Sequence, residues 1–197
     1  LDDANKIIED NKTFFIAATN EESIYLAPRW SISGVFSAFS ANMCYSTLKL
    51  QFRWSWYLEH QQEWHQFITK WLDILQPEQC YSGFEVSSPL IMDGGPEHGV
   101  MERMLADHFY GLDIDHPFTL SFHNNRQPDE WMNPARMGAG LRPATWGIML
   151  SNYWLGRLGK TAQQVKQDLR HICSCTLLSD GVWIETTPKP QLYPVDE

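Results

Sequence analysis

The stretch LRPATWGIMLSNYWLGRLG, residues 141–159, decides the fold. Its large apolar residues fall first at strand spacing, Trp146, Ile148 and Leu150, and then at helix spacing, Trp154, Leu155 and Leu158. That change of period predicts a buried strand over 144–150 running into a short amphipathic helix over 152–158, which Gly159 stops. Both elements need core, and the stretch holds no catalytic pattern. The residues that follow have the same character. A helix over 161–170 is capped by Thr161, and strands over 172–178 and 182–186 flank the turn Ser179-Asp180-Gly181.

Upstream, the pattern predicts a strand over 13–19, a turn at 20–22 and a short strand over 23–26, together a hairpin. Residues 31–45, with Val35, Phe36, Phe39 and Met43 on one stripe, read as a helix. The clearest alternation places Leu48, Leu50, Phe52, Trp54 and Trp56 on one face of a strand, with Lys49, Gln51, Arg53 and Ser55 on the other. From 59 to 76 the period turns helical through Trp64, Phe67, Ile68, Trp71, Leu72 and Leu75, and Pro77 closes the helix. A strand over 81–88, a turn at 93–96, a helix over 97–109 and a strand over 118–123 follow. Residues 127–140, rich in Pro, Asn, Gly and Met, read as a long loop.

Strands and helices alternate, yet the tight hairpins exclude a purely parallel sheet. The expected class is α+β, a mixed or antiparallel sheet with helices packed on one face. Residues 1–197 read as a single domain without a polar linker, and the repeated strand-helix-strand order is compatible with two related halves, 1–77 and 78–197.

Composition narrows the functions. Of the 197 residues 43% are apolar and 20% charged, a globular balance far from that of a disordered chain. The net charge of −9 argues against nucleic acid or an anionic membrane as ligand, because affinity for either polyanion rests on Lys and Arg. A basic protein partner fits better. Nine tryptophans and ten phenylalanines imply large buried plates, with surplus aromatic surface available to an interface. Four cysteines, Cys44, Cys80, Cys173 and Cys175, are too sparse for a disulfide scaffold. No apolar run reaches the roughly 20 residues of a membrane span. Free thiols point to a reducing cytoplasm, while a start at Leu1 leaves the periplasm open.

Candidate chemistry is thin. Asp107, His108, Asp113, Asp115, His116 and His123 are of metal-ligand type, but no pair has a spacing that a helix or strand brings together. A metal-dependent hydrolase using His108, Asp113, His116 and His123 is the enzymatic alternative. His60 and His65 lie about 140° apart around a helix at about 100° per residue, too far to share one ion. Glu59 and Glu63, four apart, read as solvated carboxylates rather than an acid/base pair. Cys173 and His171 sit too close along one strand for a supported dyad. No Gly-x-Ser-x-Gly elbow, phosphate-cradling loop or His-Glu-x-x-His is present.

One family is matched by several short motifs in order. They are Thr145-Trp146-Gly147-Ile148-Met149-Leu150, Leu155-Gly156-Arg157-Leu158-Gly159, and Ser179-Asp180-Gly181-Val182-Trp183-Ile184 followed by Pro188. Trp54-x-Trp56, Ser82-Gly83-Phe84-Glu85 and Phe109-Tyr110-Gly111-Leu112-Asp113 add to them. In these the chain resembles type VI secretion immunity proteins of the DUF3396, TsiV-like family. The resemblance implies a non-catalytic protein without cofactor that neutralises a cognate effector toxin, basic and nuclease-like, by stoichiometric binding. It carries over no active-site residues. Exposed acids and an aromatic in the loops, Asp93, Glu97, Asp113, Asp115, Asp129, Glu130 and Trp131, are the candidate partner contacts. A homodimer is compatible with this reading, as is a general interaction module that binds no toxin.

Overall fold

The computed structural model describes residues 14–23, 26–36, 46–87, 104–113, 141 and 144–193. Contacts within the chain divide it into two compact units. The first comprises Leu1–Trp54, Ser87–Gly95 and Asp115–Arg142, the second Ser55–Val86, Pro96–Ile114 and Pro143–Glu197.

The first unit is built on a three-stranded antiparallel meander, β1 (Phe14–Thr19), β2 (Trp30–Phe36) and β3 (Thr47–Phe52). The register sets Ala18 opposite Ile32 and Ile32 opposite Leu50, so alternate residues line an apolar face. On the other face the Ser31 hydroxyl donates to Gln51 Oε1 at 3.0 Å. Asn20 fixes the β1–β2 connection, its Oδ1 accepting the backbone N–H groups of Arg29 (3.0 Å) and Trp30 (2.9 Å).

Three sequence expectations change here. The expected partner of the first strand, residues 23–26, is not a strand at either of its described ends; Ser23 and Leu26 sit in bends, and β1 pairs with β2 instead. The helix expected from residue 31 is a strand as far as Phe36, and residues 37–45 lie outside the described set. Trp-Ser-Ile-Ser-Gly-Val-Phe alternates with period two, and its serines and β-branched residues are poor helix formers. The strand expected over 48–56 stops at Phe52, and α1 (Trp54–Glu59) takes over. Trp54-Ser55-Trp56 continues the alternation in sequence, yet Tyr57 is the buried residue of α1 while Trp56 and Leu58 face solvent. Burial of one aromatic outweighs a two-residue period.

The second unit carries a four-stranded antiparallel sheet in the order β4-β7-β9-β8, with β4 (Gln79–Ser82), β7 (Gly147–Ser151), β8 (Ser174–Leu178) and β9 (Gly181–Glu185). A two-residue parallel pair, β5 (Phe84–Glu85) with β6 (Leu112–Asp113), lies beside a helical turn at 104–108. The α+β class expected from the sequence holds. The quoted stretch folds as read, within a few residues, into β7 and then α3 (Asn152–Arg157), with Trp154 and Leu155 buried. The helix of 59–76 is α2 (Gln61–Leu75), which buries Trp64, Ile68 and Leu72. The last helix is α4 (Ala162–Leu169), and Thr161 caps it as expected: its hydroxyl accepts the Gln164 N–H at 3.2 Å while Gln164 Oε1 accepts the Thr161 N–H at 2.8 Å. The strand expected over 118–123 and the loop over 127–140 lie outside the described residues.

All five residues of β9 are buried. Val182 and Ile184 point to one side of the sheet, Trp183 and Glu185 to the other, so the sheet is covered on both faces. The turn into β9 depends on Gly181. Its φ is 140°, and a Cβ there would stand 2.1 Å from the Leu150 carbonyl oxygen.

Replacing Gly181 by Ala therefore has no relaxed solution: the chain must leave its φ and β7 must shift. We expect Gly181→Ala to lower unfolding free energy by about 3 kcal/mol, and Thr161→Ala by about 1 kcal/mol through the lost cap. Urea unfolding followed by circular dichroism measures both, and a Gly181→Ala loss no larger than that of Thr161→Ala would contradict the close approach described.

Candidate interaction surface

Among the described residues of the second unit, one buried carboxylate has an organised environment. Glu185, at the end of β9, is only 6% exposed. Its Oε1 accepts the Trp183 indole N–H at 3.0 Å and lies 3.2 Å from Nδ1 of His65 on α2. The Trp183 ring lies where a side chain at residue 147 would project, 2.5 Å from a Cβ built there, which is why β7 begins with Gly147. Tyr57 of α1 belongs to the same cluster. Its ring meets that of Trp146 edge-on at 5.7 Å, and burial, with the Glu185 charge adding to it, pushes its phenol up from 10.0 to about 12. These groups join α1 and α2 to the sheet. The carboxylate is committed to an indole and an imidazole, a structural arrangement.

The outward side of α2 is different. Trp64, Ile68 and Leu72 are buried, whereas Phe67, Trp71 and Leu75, expected on the same core stripe, are partly open to solvent, and Phe67 and Trp71 (each 37% exposed) form a second stripe with Ile74 at 4 and 3 spacing. Phe67 bridges the two stripes, its ring 5.9 Å from that of Trp64 and 5.7 Å from that of Trp71. Ile74 is 62% exposed and Leu75 45%. At the amino-terminal end Trp56 stacks on His60, centroids 4.8 Å apart, and His60 Nδ1 lies 2.8 Å from the Trp56 carbonyl. Glu59 and Glu63, both exposed, stand beside this stack. Lys70 is the exposed base of α2, and Asp73 is occupied, accepting the Ser179 N–H at 2.8 Å and its hydroxyl at 2.9 Å.

Of the acids and aromatic chosen from the sequence as partner contacts, Asp113 is described: it is half-buried in β6, opposite Glu85. Asp93, Glu97, Asp115, Asp129, Glu130 and Trp131 lie outside the described residues, as do His116 and His123 of the metal alternative. His108 is exposed, with Nδ1 2.7 Å from the Met104 carbonyl. Among the described residues no three His, Cys, Asp or Glu side chains are grouped to hold a metal ion. His60 and His65, read as unable to share an ion, engage separate partners. Cys80, Cys173 and Cys175 are free thiols, and burial, reinforced by Cys173, raises the Cys175 thiol while Lys166 opposes the rise. Glu185 and Tyr57 were not singled out in the sequence. A Trp-x-Glu on a strand, Trp183-Ile184-Glu185, was the only signal, since alternate residues share a face.

With the fold and this surface in place, comparison with known proteins is decisive. A family model described as "TsiV: Type VI immunity for VRR-NUC" matches residues 2–197. This chain belongs to the TsiV family. TsiV proteins are type VI immunity proteins, and the motifs that carried the resemblance are structural: residues 145–150 lead into and form most of β7, residues 179–184 are the turn into β9 and most of that strand, and Trp54-x-Trp56 and Leu155–Gly159 fall in α1 and at the end of α3. The solved structure of the Pseudomonas aeruginosa T6SS protein PA0821 is similar in fold, with a TM-score of 0.72 at 16% identity, covering 92% of this chain and 48% of that one. The TsiV chain thus spans about half the length of that structure. No curated protein matches it in sequence. Among the described residues no helix is long and apolar enough to cross a membrane.

The Tyr57 environment gives a pH test. Because its folded pKa is raised, the unfolded chain loses this proton first. The stability linked to it is intact below about pH 10 and is lost as pH rises from 10 toward 12. Unfolding free energies of the wild type and Tyr57→Phe should keep a constant difference below that window and converge or cross within it. Parallel curves would contradict the raised phenol.

Proposed function

We propose that this type VI immunity protein neutralises a cognate effector of nuclease type by binding it one-to-one, without performing a reaction of its own. The observation that carries the reading is the TsiV family match over residues 2–197, whose description pairs the immunity with VRR-NUC. The charge of −9 supports a basic partner: a nuclease must hold a polyanion, so its substrate surface is rich in Lys and Arg, and an acidic protein competes for it while avoiding nucleic acid itself. Residues 1–197 act as one binding domain in the cytoplasm, where a nuclease meets its substrate. The acids Asp93, Glu97, Asp113, Asp115, Asp129 and Glu130, with Trp131, supply further contacts. Self-association is not needed for this activity.

Purified protein mixed with its effector should elute from a sizing column as a discrete complex, and nuclease activity should fall linearly to background at about equimolar ratio. Activity that persists within an isolated complex, or inhibition needing a large excess without complex formation, would count against the proposal.

A further inference from the structure

The outward stripe of α2 is the feature that the fold leaves unexplained. An amphipathic helix on a sheet needs one apolar stripe, and Trp64, Ile68 and Leu72 already supply it. Phe67 and Trp71, each 37% exposed, and the more open Ile74 widen the apolar arc toward water beyond what that stripe requires. Two of the three are aromatic, the residue type that carries most interface energy.

The charges beside the stripe select the occupant. Glu63 is exposed on α2 four residues before Phe67, and Glu59 is exposed at the end of α1, just ahead of α2 in the chain; neither is ion-paired with another described residue, whereas the acid at the other end, Asp73, is held by Ser179. Lys70 is the one exposed base on α2. Carboxylates beside an aromatic platform are suited to guanidinium groups, which pair with the carboxylate and stack on the ring in one placement. The protein uses the second half of that chemistry internally, where the Arg157 guanidinium lies over the Trp154 ring at 4.8 Å and the Tyr153 ring at 5.9 Å. A phosphate backbone or an anionic bilayer would be repelled by the same two carboxylates.

We infer that the outward face of α2, with Phe67 and Trp71 at its centre and Glu59 and Glu63 at its amino-terminal edge, docks an arginine-bearing surface of the effector. The inference rests on the proposed function and adds to it the place and chemistry of contact. The aromatic pair sets the lifetime of the complex, and the two carboxylates set the rate of encounter.

The experiment compares the wild type with Glu59→Lys/Glu63→Lys, Phe67→Ser/Trp71→Ser and Ile172→Ser for binding to the effector by biolayer interferometry at low and high salt. Circular dichroism confirms folding, and sizing chromatography gives the oligomeric state. The charge-reversed protein alters exposed residues only and keeps the test valid if the aromatic variant does not fold. It should associate about 10-fold more slowly at low salt, with the difference shrinking at high salt. Folded Phe67→Ser/Trp71→Ser should bind about 100-fold more weakly. Ile172→Ser, exposed and beyond α4, should bind as the wild type does. An unchanged association rate after charge reversal, or unchanged affinity in the folded aromatic variant, overturns the inference while leaving the proposed function standing. It is equally overturned if Phe67→Ser/Trp71→Ser turns a wild-type dimer into a monomer without loss of effector affinity, since the occupant is then a second copy. A wild-type protein that does not bind the effector removes the proposed function and this inference together.

Discussion

Complete burial of β9 is the constraint on which the second unit depends. A strand with Val182 and Ile184 on one side and Trp183 and Glu185 on the other, all inaccessible, demands cover on both faces of the sheet. On the Glu185 side the cover includes a charge, which a core tolerates when its oxygens are engaged. Trp183 supplies the indole N–H and His65 the imidazole, so the carboxylate ties α2 to the sheet as well as being satisfied by it. Tyr57, whose phenol feels the same charge, brings α1 into the arrangement. Glycines at 147 and 181 make room for the ring and for the backbone crossing.

That anchoring also steadies the face of α2 turned away from the sheet. With Trp64, Ile68 and Leu72 packed inward and Asp73 fastened to Ser179, α2 is held along its length, and Phe67, Trp71 and Ile74 are presented on a fixed scaffold. A binding protein whose anchors are already placed loses less conformational entropy on association than one whose contacts lie on loose segments.

The TsiV assignment and the physical reading meet at different levels. Two of the motifs behind the resemblance, residues 145–150 and 179–184, are sheet-building segments. They report the fold, and the fold of PA0821 is similar to it at 16% identity. The surface chemistry comes instead from residues such as Glu59, Phe67 and Trp71, which the sheet does not constrain.

The sequence by itself determined the α+β class, β7 running into α3, α2 as an amphipathic helix, the Thr161 cap and the turn at Gly181, because each rests on local periodicity, on a side chain bonding its own backbone, or on a glycine. It also fixed the net charge of −9. Tertiary structure alone decided that the Trp54-x-Trp56 alternation belongs to a helix, since that outcome depends on the burial of Tyr57. It alone brought Glu185 to His65, 120 positions away in sequence, and showed which of the two apolar stripes of α2 faces water. The physical reason is the same in each case: a periodic pattern states that a face is apolar, but only packing settles whether that face is covered.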